Sequence, residues 1–372
     1  MPGRARSSTS SRSRRRRLLG PSLARLPTEV RRDVAAARSV ATEGGPRLFL
    51  AGGAVRDLLL GRPVSDVDLV VEGDASAFAR RLAERLGGLV RAHDRFATAT
   101  LDRNEGRRLD VAATRRERYA RSGALPEVRP GVPIEEDLHR RDFSINALAL
   151  ELAPRRRLVD PLGGRDDLRR GLVRILHAHS FADDPTRILR AVRYASRLGF
   201  RLAPTTRGRL VTALEDGALD RISADRLRRE LRLILEEPDR VRAVGMMRRL
   251  GIDAAIDPIL SRQGASERFR CAGTNVGWLC YLRAWMGPAT DLEVNGLASR
   301  LGLSRAERRA LNPRSGGPVA PVRGADLIAA GIPPGPAIGR ALAKTRDALG
   351  RGRLAPREAL DFAVRAARSE GE

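Results

Sequence analysis

The stretch "LFLAGGAVRDLLLGRPVSDVDLVVEGDA", residues 48–75, decides the fold of the first half of the chain. Its "LFLAGG" predicts a short apolar strand that runs into a glycine turn, and "VRDLLLG" predicts a helix that ends at Gly61. The following "SDVDLVVEG" predicts a second strand, which carries Asp66 and Asp68 one residue apart. Because residues i and i+2 of a strand point to the same face, these two carboxylates are expected to project together.

The charge of the whole chain makes this acidic pair unusual. The 70 basic and 45 acidic residues give a formal net charge of +25, which predicts a polyanionic partner such as nucleic acid. Two carboxylates in the working surface would repel that partner unless a divalent cation lay between them. Mg²⁺ prefers one or two carboxylates together with substrate phosphates. A pair of this kind can also be a solvated loop feature, but the apolar strand around Asp66 and Asp68 favours a Mg²⁺ site.

Composition excludes several other classes of protein. A chain of 372 residues, with 42% apolar and 31% charged residues, is typical of a soluble globular protein of two or three domains. Aromatic residues make up 3%, too few for base stacking to be the main binding device. Cys271 and Cys280 support neither a disulfide framework nor a zinc site, which indicates a reducing, cytoplasmic location. No apolar run reaches the roughly 18 residues of a membrane span, so no membrane partner is expected.

Further elements complete a mixed first half and a helical second half. Helical spacing predicts a helix in residues 26–45 and another after Asp74, its expected cap. "RFATATLD" and "RRLDVAAT" predict two strands joined by a turn at residues 104–106. The predicted fold class is therefore α+β, a small mixed sheet with helices followed by an all-helical part. The predicted division is a disordered basic tail (1–20), a mixed head of strands and helices (21–178), and two helical parts (179–245 and 246–372).

Two further features suit phosphate chemistry. Asp110, inside "RRLDVAAT", is the natural third carboxylate from a neighbouring strand, and two metal ions held there could serve an in-line displacement. Gly52 and Gly53 allow a backbone turn to approach a phosphate, with Arg56 behind it to bind the oxygens. A Gly-Gly pair is by itself an ordinary turn, and the stretch is neither a dinucleotide fingerprint nor a P-loop.

Five blocks of sequence, in one order across about 185 residues, resemble a known family. They are "GGAVRDLLLGRPVSDVDLVVEG" (52–73), "EEDLHRRDFSINALAL" (135–150), "DPLGGRDDLRRGLVR" (160–174), "FADDPTRILRAVRYASRLGF" (181–200) and "RISADRLRREL" (221–231). The chain resembles the class II tRNA nucleotidyltransferases and bacterial poly(A) polymerases, within the polymerase-beta-like nucleotidyltransferases. The resemblance implies a polymerase-beta-like catalytic head (21–178), a helical neck for nucleotide recognition and RNA binding (179–245), and a helical body that binds tRNA (246–372). It covers roughly half of the chain.

The resemblance also implies a role for each matching residue. Residues 184, 187, 190 and 193 recur every three positions, so they form a stripe on a helix, although Asp184 could equally be a helix cap. By resemblance, Asp184 and Arg187 accept the base of C or A, while Asp142 and Asn146 support the site. The other implied roles are Mg²⁺ binding by Asp66 and Asp68, the third carboxylate at Asp110, triphosphate binding by Gly53 and Arg56, a nucleotide contact by Arg141, and phosphate contacts by Arg190 and Arg193.

The predicted function is the template-independent extension of the tRNA 3′ end from CTP and ATP. Residues 113–131 occupy the place of the family's flexible loop, whose retention favours addition of CCA or of the terminal A. Three alternatives stay open: a poly(A) polymerase of the same family, an enzyme that adds only A or only CC beside a partner enzyme, and a non-catalytic RNA-binding protein. The three carboxylates Asp66, Asp68 and Asp110 argue against the last. The sequence indicates no oligomeric state.

Overall fold

Contacts within the chain divide it into two compact units. The computed structural model describes residues 16–64, 67–103, 106–124, 126–271, 277–311, 322–350, 354 and 358–369. The two units are Met1–Ile222 and Ser223–Glu372, whereas the sequence prediction placed boundaries at residues 178 and 245. The difference has a physical reason, because residues beyond 178 bond back to the head: Arg190 pairs with Asp142, and strand residues 201–202 pair with residues 172–173. The four-part division remains a prediction.

A mixed sheet forms the centre of the first unit. Its strands are β1 (Leu48–Ala51), β2 (Asp68–Val71), β3 (Leu89–His93), β4 (Thr98–Asp102), β5 (Arg108–Ala113), β8 (Ala149–Ala153) and β9 (Leu158–Val159). Within the described residues, these seven strands take the order β3-β4-β5-β2-β1-β8-β9. Strands β2 and β5 are parallel, and all other neighbours in this sheet are antiparallel.

Two short pairs of strands lie outside this sheet. Residues Arg115–Arg118 (β6) and Glu127–Pro130 (β7) form an antiparallel hairpin. Residues Leu172–Val173 (β10) and Arg201–Leu202 (β11) form a parallel pair.

Helices of the first unit cover the sheet and supply its core. They are α1 (Thr28–Thr42), α2 (Gly53–Leu60), α3 (Ala75–Leu86), α4 (Ile134–His139), α5 (Gly164–Arg170), α6 (Ser180–Asp183), α7 (Thr186–Leu198) and α8 (Pro204–Glu215). Phe49 and Val70 of the central strands pack with Ile134 and Leu138 of α4, and all four are almost fully buried. Asp74 accepts hydrogen bonds from the backbone amides of residues 76 and 77 and so caps α3, as predicted.

The start of the described chain departs from the predicted tail. Residues 1–20 were predicted to be disordered; residues 1–15 of this tail lie outside the described residues, and among residues 16–20 the amide of Arg16 donates to the carbonyl of Arg169 at 2.8 Å. The Arg16 guanidinium also lies 5.0 Å from the centre of the Phe200 ring, and the amide of Leu19 donates to the carbonyl of Leu59. These partners are distant in sequence, which is why composition alone predicted a tail.

The second unit is helical throughout its described residues, as the sequence predicted. One of its apolar clusters contains Leu327, Ala341, Ala359 and Ala363, all fully buried. Its helices are α9 (Ala224–Glu236), α10 (Arg240–Leu250), α11 (Ile252–Ile256), α12 (Ala265–Cys271), α13 (Trp278–Met286), α14 (Asp291–Arg300), α15 (Arg305–Leu311), α16 (Gly324–Ala329), α17 (Pro336–Gly350) and α18 (Ala359–Arg368). Over the ranges described above, neither unit contains a helix with the length and hydrophobicity needed to cross a bilayer.

Candidate active site

Strand register brings the acidic residues and the glycine turn to one end of the sheet. Asp68 is the first residue of β2 and lies directly opposite Asp110 of the parallel strand β5. Strand β1 runs antiparallel to β2, so its last residue, Ala51, and the turn at Gly52 lie at the same end as Asp68. Both aspartates are exposed, and Asp110 accepts a hydrogen bond from the Thr100 hydroxyl at 2.7 Å.

The third predicted carboxylate, Asp66, lies outside the described residues, as does Ser65 beside it. Its position relative to Asp68 and Asp110 therefore stays a prediction. In the parts of the chain that the structure does describe, His, Cys, Asp and Glu residues form no group of three suited to a metal ion.

The glycine turn brings two arginines close to the backbone. Gly52 has a φ of +73°, and a Cβ at this position would lie 2.7 Å from Nη1 of Arg141. The side chain of Arg56, one turn into α2, folds back so that its Nη2 is 3.4 Å from where a Cβ of Gly53 would be. Glycine at residue 52 thus serves both the left-handed backbone and the close approach of a cation.

Arg56 is held by a buried network. Its guanidinium donates to both carboxylate oxygens of Asp57, at 3.0 and 2.7 Å, and to Oδ1 of Asn146 at 2.6 Å. Burial by itself lowers the pKa of Arg56, but the hydrogen bonds and charge of Asp57 offset this and leave it above its ordinary value. The Arg56 side chain is therefore fixed in place as a cation.

The network continues to helix α7. The amide of Asn146 donates to Asp142 at 2.9 Å, and Asp142 accepts two hydrogen bonds from Arg190, at 3.0 and 2.6 Å. Burial by itself raises the pKa of Asp142, but the charge of Arg190 and its hydrogen bonds outweigh burial, so the pKa lies below its ordinary value. Asp142 and Asn146 thus connect the two predicted phosphate ligands, Arg56 and Arg190. This contact is how Asp142 and Asn146 could support the site, as the resemblance implies.

Arg141 belongs to a second buried cluster, around Asp137. Asp137 is fully buried and accepts hydrogen bonds from Arg140, from Arg141 at 3.2 Å and from the backbone amide of Arg115 at 3.1 Å. Burial by itself raises the pKa of Asp137, and the charges of the two arginines lower it below the ordinary value. The buried Nε of Arg141 has no hydrogen-bond partner among the described residues.

Acid is expected to destabilise the fold through Asp137 and Asp142. Their pKa values are depressed in the folded state, so their stabilisation is present above the unfolded-state pKa of about 3.9 and is lost as pH falls through the folded-state values. We expect the free energy of unfolding to stay nearly constant from pH 7 to about pH 5 and to fall steeply below about pH 4. Urea unfolding at a series of pH values measures this, and the Asp142→Asn variant should show a shallower fall. If the free energy of unfolding falls with pH equally steeply in Asp142→Asn and in wild type, the acid sensitivity arises from other groups.

The predicted base-reading residues meet at the start of α7. Oδ1 of Asp184 accepts from the amide and the hydroxyl of Thr186, at 3.0 and 2.6 Å, so this aspartate does cap the helix. Arg187 is 4% exposed, and its guanidinium donates to the Ser180 hydroxyl at 2.8 Å and to the carbonyl of Arg140 at 2.9 Å. Both side chains are therefore held in one orientation by neighbours, as a recognition surface requires.

The segment predicted to be a flexible loop contains a hairpin. Residues 115–118 and 127–130 pair as β6 and β7, and Glu117 accepts hydrogen bonds from Arg115 and Arg140 and, at 3.0 Å, from the Tyr119 hydroxyl. Burial and the charge of Glu117 raise the pKa of Tyr119 above its ordinary value. The prediction missed these strands because alternating arginines and glutamates carry no apolar periodicity. Through Arg140, the hairpin contacts the cluster that holds Arg141 and Arg187.

The structure thus brings the predicted arginines Arg56, Arg141, Arg187 and Arg190 into connected networks within the first unit. Arg193 is 8% exposed and lies on the neighbouring turn of α7. Sequence reasoning missed Asp57, Asp137 and Arg140. Asp137 precedes Arg141 by four residues, so charge pairing at that spacing was an available signal. Asp57 is adjacent to Arg56, a spacing that predicts no pairing on a helix.

Comparisons with known proteins agree with this geometry. Residues 48–174 match the family model of the poly A polymerase head domain. A CC-adding tRNA nucleotidyltransferase from Deinococcus radiodurans is 35% identical over 339 residues, which are 84% of this chain and 87% of that protein. The chain belongs to the tRNA nucleotidyltransferase family. The predicted family and the α+β fold class are confirmed.

Other members of the tRNA nucleotidyltransferase family differ in sequence identity to this chain and in the fraction of their length that aligns with it. An A-adding tRNA nucleotidyltransferase from Halalkalibacterium halodurans is 47% identical over 214 residues, 56% of this chain and 50% of that protein. The chain spans half or less of the length of the A-adding relatives that it matches. The solved structure of the Thermotoga maritima CCA-adding enzyme with tRNA has a TM-score of 0.67 at 28% identity, over 92% of this chain and 80% of that one. Members of the family generally depend on a divalent metal.

Proposed function

We propose that this protein extends the 3′ end of tRNA from CTP and ATP without a template. The observation that carries the proposal is the pairing of Asp68 with Asp110 at the sheet end where the glycine turn presents Arg56. Carboxylates and a fixed cation at one place suit a substrate that brings both a divalent metal and a triphosphate. Related CCA-adding enzymes have been solved with CTP and with ATP, which supports these substrates for this chain.

The donor set fits Mg²⁺. Asp68 and Asp110 offer hard carboxylate oxygens on adjacent strands, and Mg²⁺ commonly binds one or two carboxylates plus substrate phosphates. We propose that these two residues, with Asp66, hold the metal. When bound, Mg²⁺ supplies positive charge that stabilises the attacking and leaving oxygens of the displacement, and the family resemblance favours two ions.

The chain's own residues bind and orient the reactants in this proposal. Gly53 and Arg56 receive the triphosphate, Arg190 and Arg193 bind further phosphate oxygens, and Arg141 contacts the nucleotide. The RNA 3′-hydroxyl then attacks the α-phosphorus in line, and pyrophosphate leaves. Because Asp142 and Asn146 fix Arg56 and Arg190 before substrate binds, little reorganisation is needed at the moment of reaction.

Base selection is proposed for Asp184 and Arg187, whose acceptors and donors can imitate a pairing partner for C or A. We expect Asp184→Ala to raise the misincorporation of U and G relative to C and A by about tenfold or more, because unpaired polar edges are no longer rejected. Incorporation of each labelled nucleotide, offered singly, measures this. Asp74→Ala is the matched control, since it removes another aspartate that caps a helix, costs about 1 kcal/mol of stability and should leave base choice unchanged. If Asp184→Ala and Asp74→Ala select bases equally well, Asp184 does not take part in base recognition.

The acceptor range tests the proposal as a whole. Purified protein with Mg²⁺ receives CTP and ATP, separately and together, and tRNA that ends at the discriminator base, at C or at CC, beside an unrelated single-stranded RNA. Ordered addition that stops after CCA, or a restriction to CC or to A, supports tRNA nucleotidyltransfer and identifies which nucleotides are added. Long A tails on both RNAs would make the protein a poly(A) polymerase, and no incorporation would favour an RNA-binding protein. The cytoplasmic location predicted from the cysteines is consistent with a tRNA substrate.

A further inference from the structure

Four guanidinium groups surround the ring of Tyr194, a residue to which the proposed function assigns no role. The ring centre lies 5.3, 5.6, 5.0 and 5.5 Å from the guanidinium carbons of Arg56, Arg190, Arg193 and Arg197, respectively. Arg56 comes from α2, and the other three come from the same helix as Tyr194, α7.

The ring is able to hold several cations close together. Guanidinium groups gathered around one ring repel one another, because they carry like charges. The negative face of the ring offsets this, because it attracts each cation within about 6 Å of its centre. Tyr194 is only 9% exposed, and Phe143 packs against it edge to face at 5.9 Å. Its hydroxyl accepts a hydrogen bond from Arg190 at 3.3 Å. The ring is therefore fixed, and it adds a shared contact to guanidinium groups of which two, Arg56 and Arg190, are also held by Asp57, Asn146 and Asp142.

The spacing of residues along α7 adds Arg197 to the predicted phosphate-binding residues. Arg190, Tyr194 and Arg197 are separated by four and three residues, so they lie on one face of the helix. Arg190 and Arg197 are half-buried and are two turns apart, roughly 10 Å along the axis. Such a row can contact more than one phosphate group.

We propose that Tyr194 is a positioning residue that holds Arg56, Arg190, Arg193 and Arg197 together as one phosphate-binding cluster. The identity of its ligand, the triphosphate of CTP or ATP, rests on the proposed function. Backbone phosphates of RNA present the same chemistry, but Arg56 folds back over the Gly53 turn, where the triphosphate is proposed to lie, and this favours the nucleotide.

Binding of inorganic tripolyphosphate to the full chain tests the cluster without requiring turnover. Isothermal calorimetry should show that Tyr194→Leu, which removes the aromatic face, weakens the affinity about tenfold, whereas Tyr194→Phe, which keeps the face, stays within about threefold of wild type. In steady-state incorporation, Tyr194→Leu should raise the KM for CTP and for ATP by about the same tenfold and change kcat less than about threefold, because the ring orients the binding arginines and does not touch the reacting atoms.

Arg197 provides a test that does not disturb the core. Arg197→Gln should weaken tripolyphosphate binding about threefold or more, while Arg201→Gln, at an exposed arginine of β11, should leave it unchanged. Thermal melting of every variant separates loss of folding from loss of binding.

Two results would overturn the proposal. If Tyr194→Leu lowers the melting temperature but leaves tripolyphosphate affinity and both KM values unchanged, the ring has only a packing role. If the variants weaken binding of tRNA ending in CC but not of tripolyphosphate, the cluster binds RNA phosphates and the nucleotide assignment is wrong. A wild-type protein that binds tripolyphosphate normally but incorporates no nucleotide would contradict the proposed function and leave the cluster standing.

Discussion

Replacing Asp68 or Asp110 by asparagine is expected to slow nucleotide incorporation by about a thousandfold or more. The amide keeps the shape of the side chain and can still accept the hydrogen bond from Thr100 to residue 110, so the strands should pair as before. What is lost is the negative charge that, in the proposed function, holds the metal against the triphosphate. Single-turnover incorporation of labelled nucleotide at saturating Mg²⁺ measures the effect.

A neighbouring aspartate offers a matched control for this experiment. Asp102 lies on β4, two residues beyond Thr100, the partner of Asp110, and it forms ion pairs with Arg91 and Arg108. Asp102→Asn removes the same charge from the same sheet and should change the rate less than about threefold. Should Asp68→Asn or Asp110→Asn retain a rate close to that of Asp102→Asn, the carboxylate pair would not be the catalytic centre.

A second large effect is expected for Asp142→Ala, which should lower the free energy of unfolding by about 3–5 kcal/mol. The substitution leaves Arg190 without its two hydrogen bonds to residue 142, and the Asn146 amide and the Phe143 backbone amide lose their acceptor. Burying donors without acceptors is costly, and a charge left without its counter-ion costs more. Urea unfolding followed by circular dichroism gives the free energy.

Asp166→Ala is the matched control for this stability change. Asp166 pairs with Arg169 on an exposed helix surface, where an ion pair is worth well under about 1 kcal/mol. The double variant Asp142→Ala with Arg190→Ala should recover part of the loss, since it also removes the charge that lost its partner. Similar losses in Asp142→Ala and Asp166→Ala would show that the network contributes little to stability.

Much of the first unit follows from local sequence. Residues 48–51 are apolar and end at a glycine turn, and Asp74 stands where a helix cap is needed, so β1, α2 and α3 could be predicted. Strand β3 was missed, because it is an edge strand whose side chains are mostly exposed and show no apolar alternation. The predicted strand around Asp66 and Asp68 begins at Asp68 in the described residues.

The candidate site could be predicted only in part. Motifs identified Arg56 and Arg190, and hydrophobic patterns placed Asp68 and Asp110 on strands, but the parallel pairing that sets them opposite each other depends on the order of strands in the sheet. The link from Arg56 through Asn146 to Asp142 spans about ninety residues of sequence. Such contacts arise when elements pack, and no local periodicity encodes them.

The pairing of Asp68 with Asp110 also determines where the chain tolerates changes of length. Side chains alternate between the two faces of a sheet, so one residue inserted within β5 before Asp110 would turn its carboxylate to the opposite face from Asp68. The β4–β5 pairing ends at Asp102 and Arg108, so a longer segment between these two residues leaves the register intact. Natural variants of this protein are therefore expected to differ in length between the strands and to keep the spacing within them.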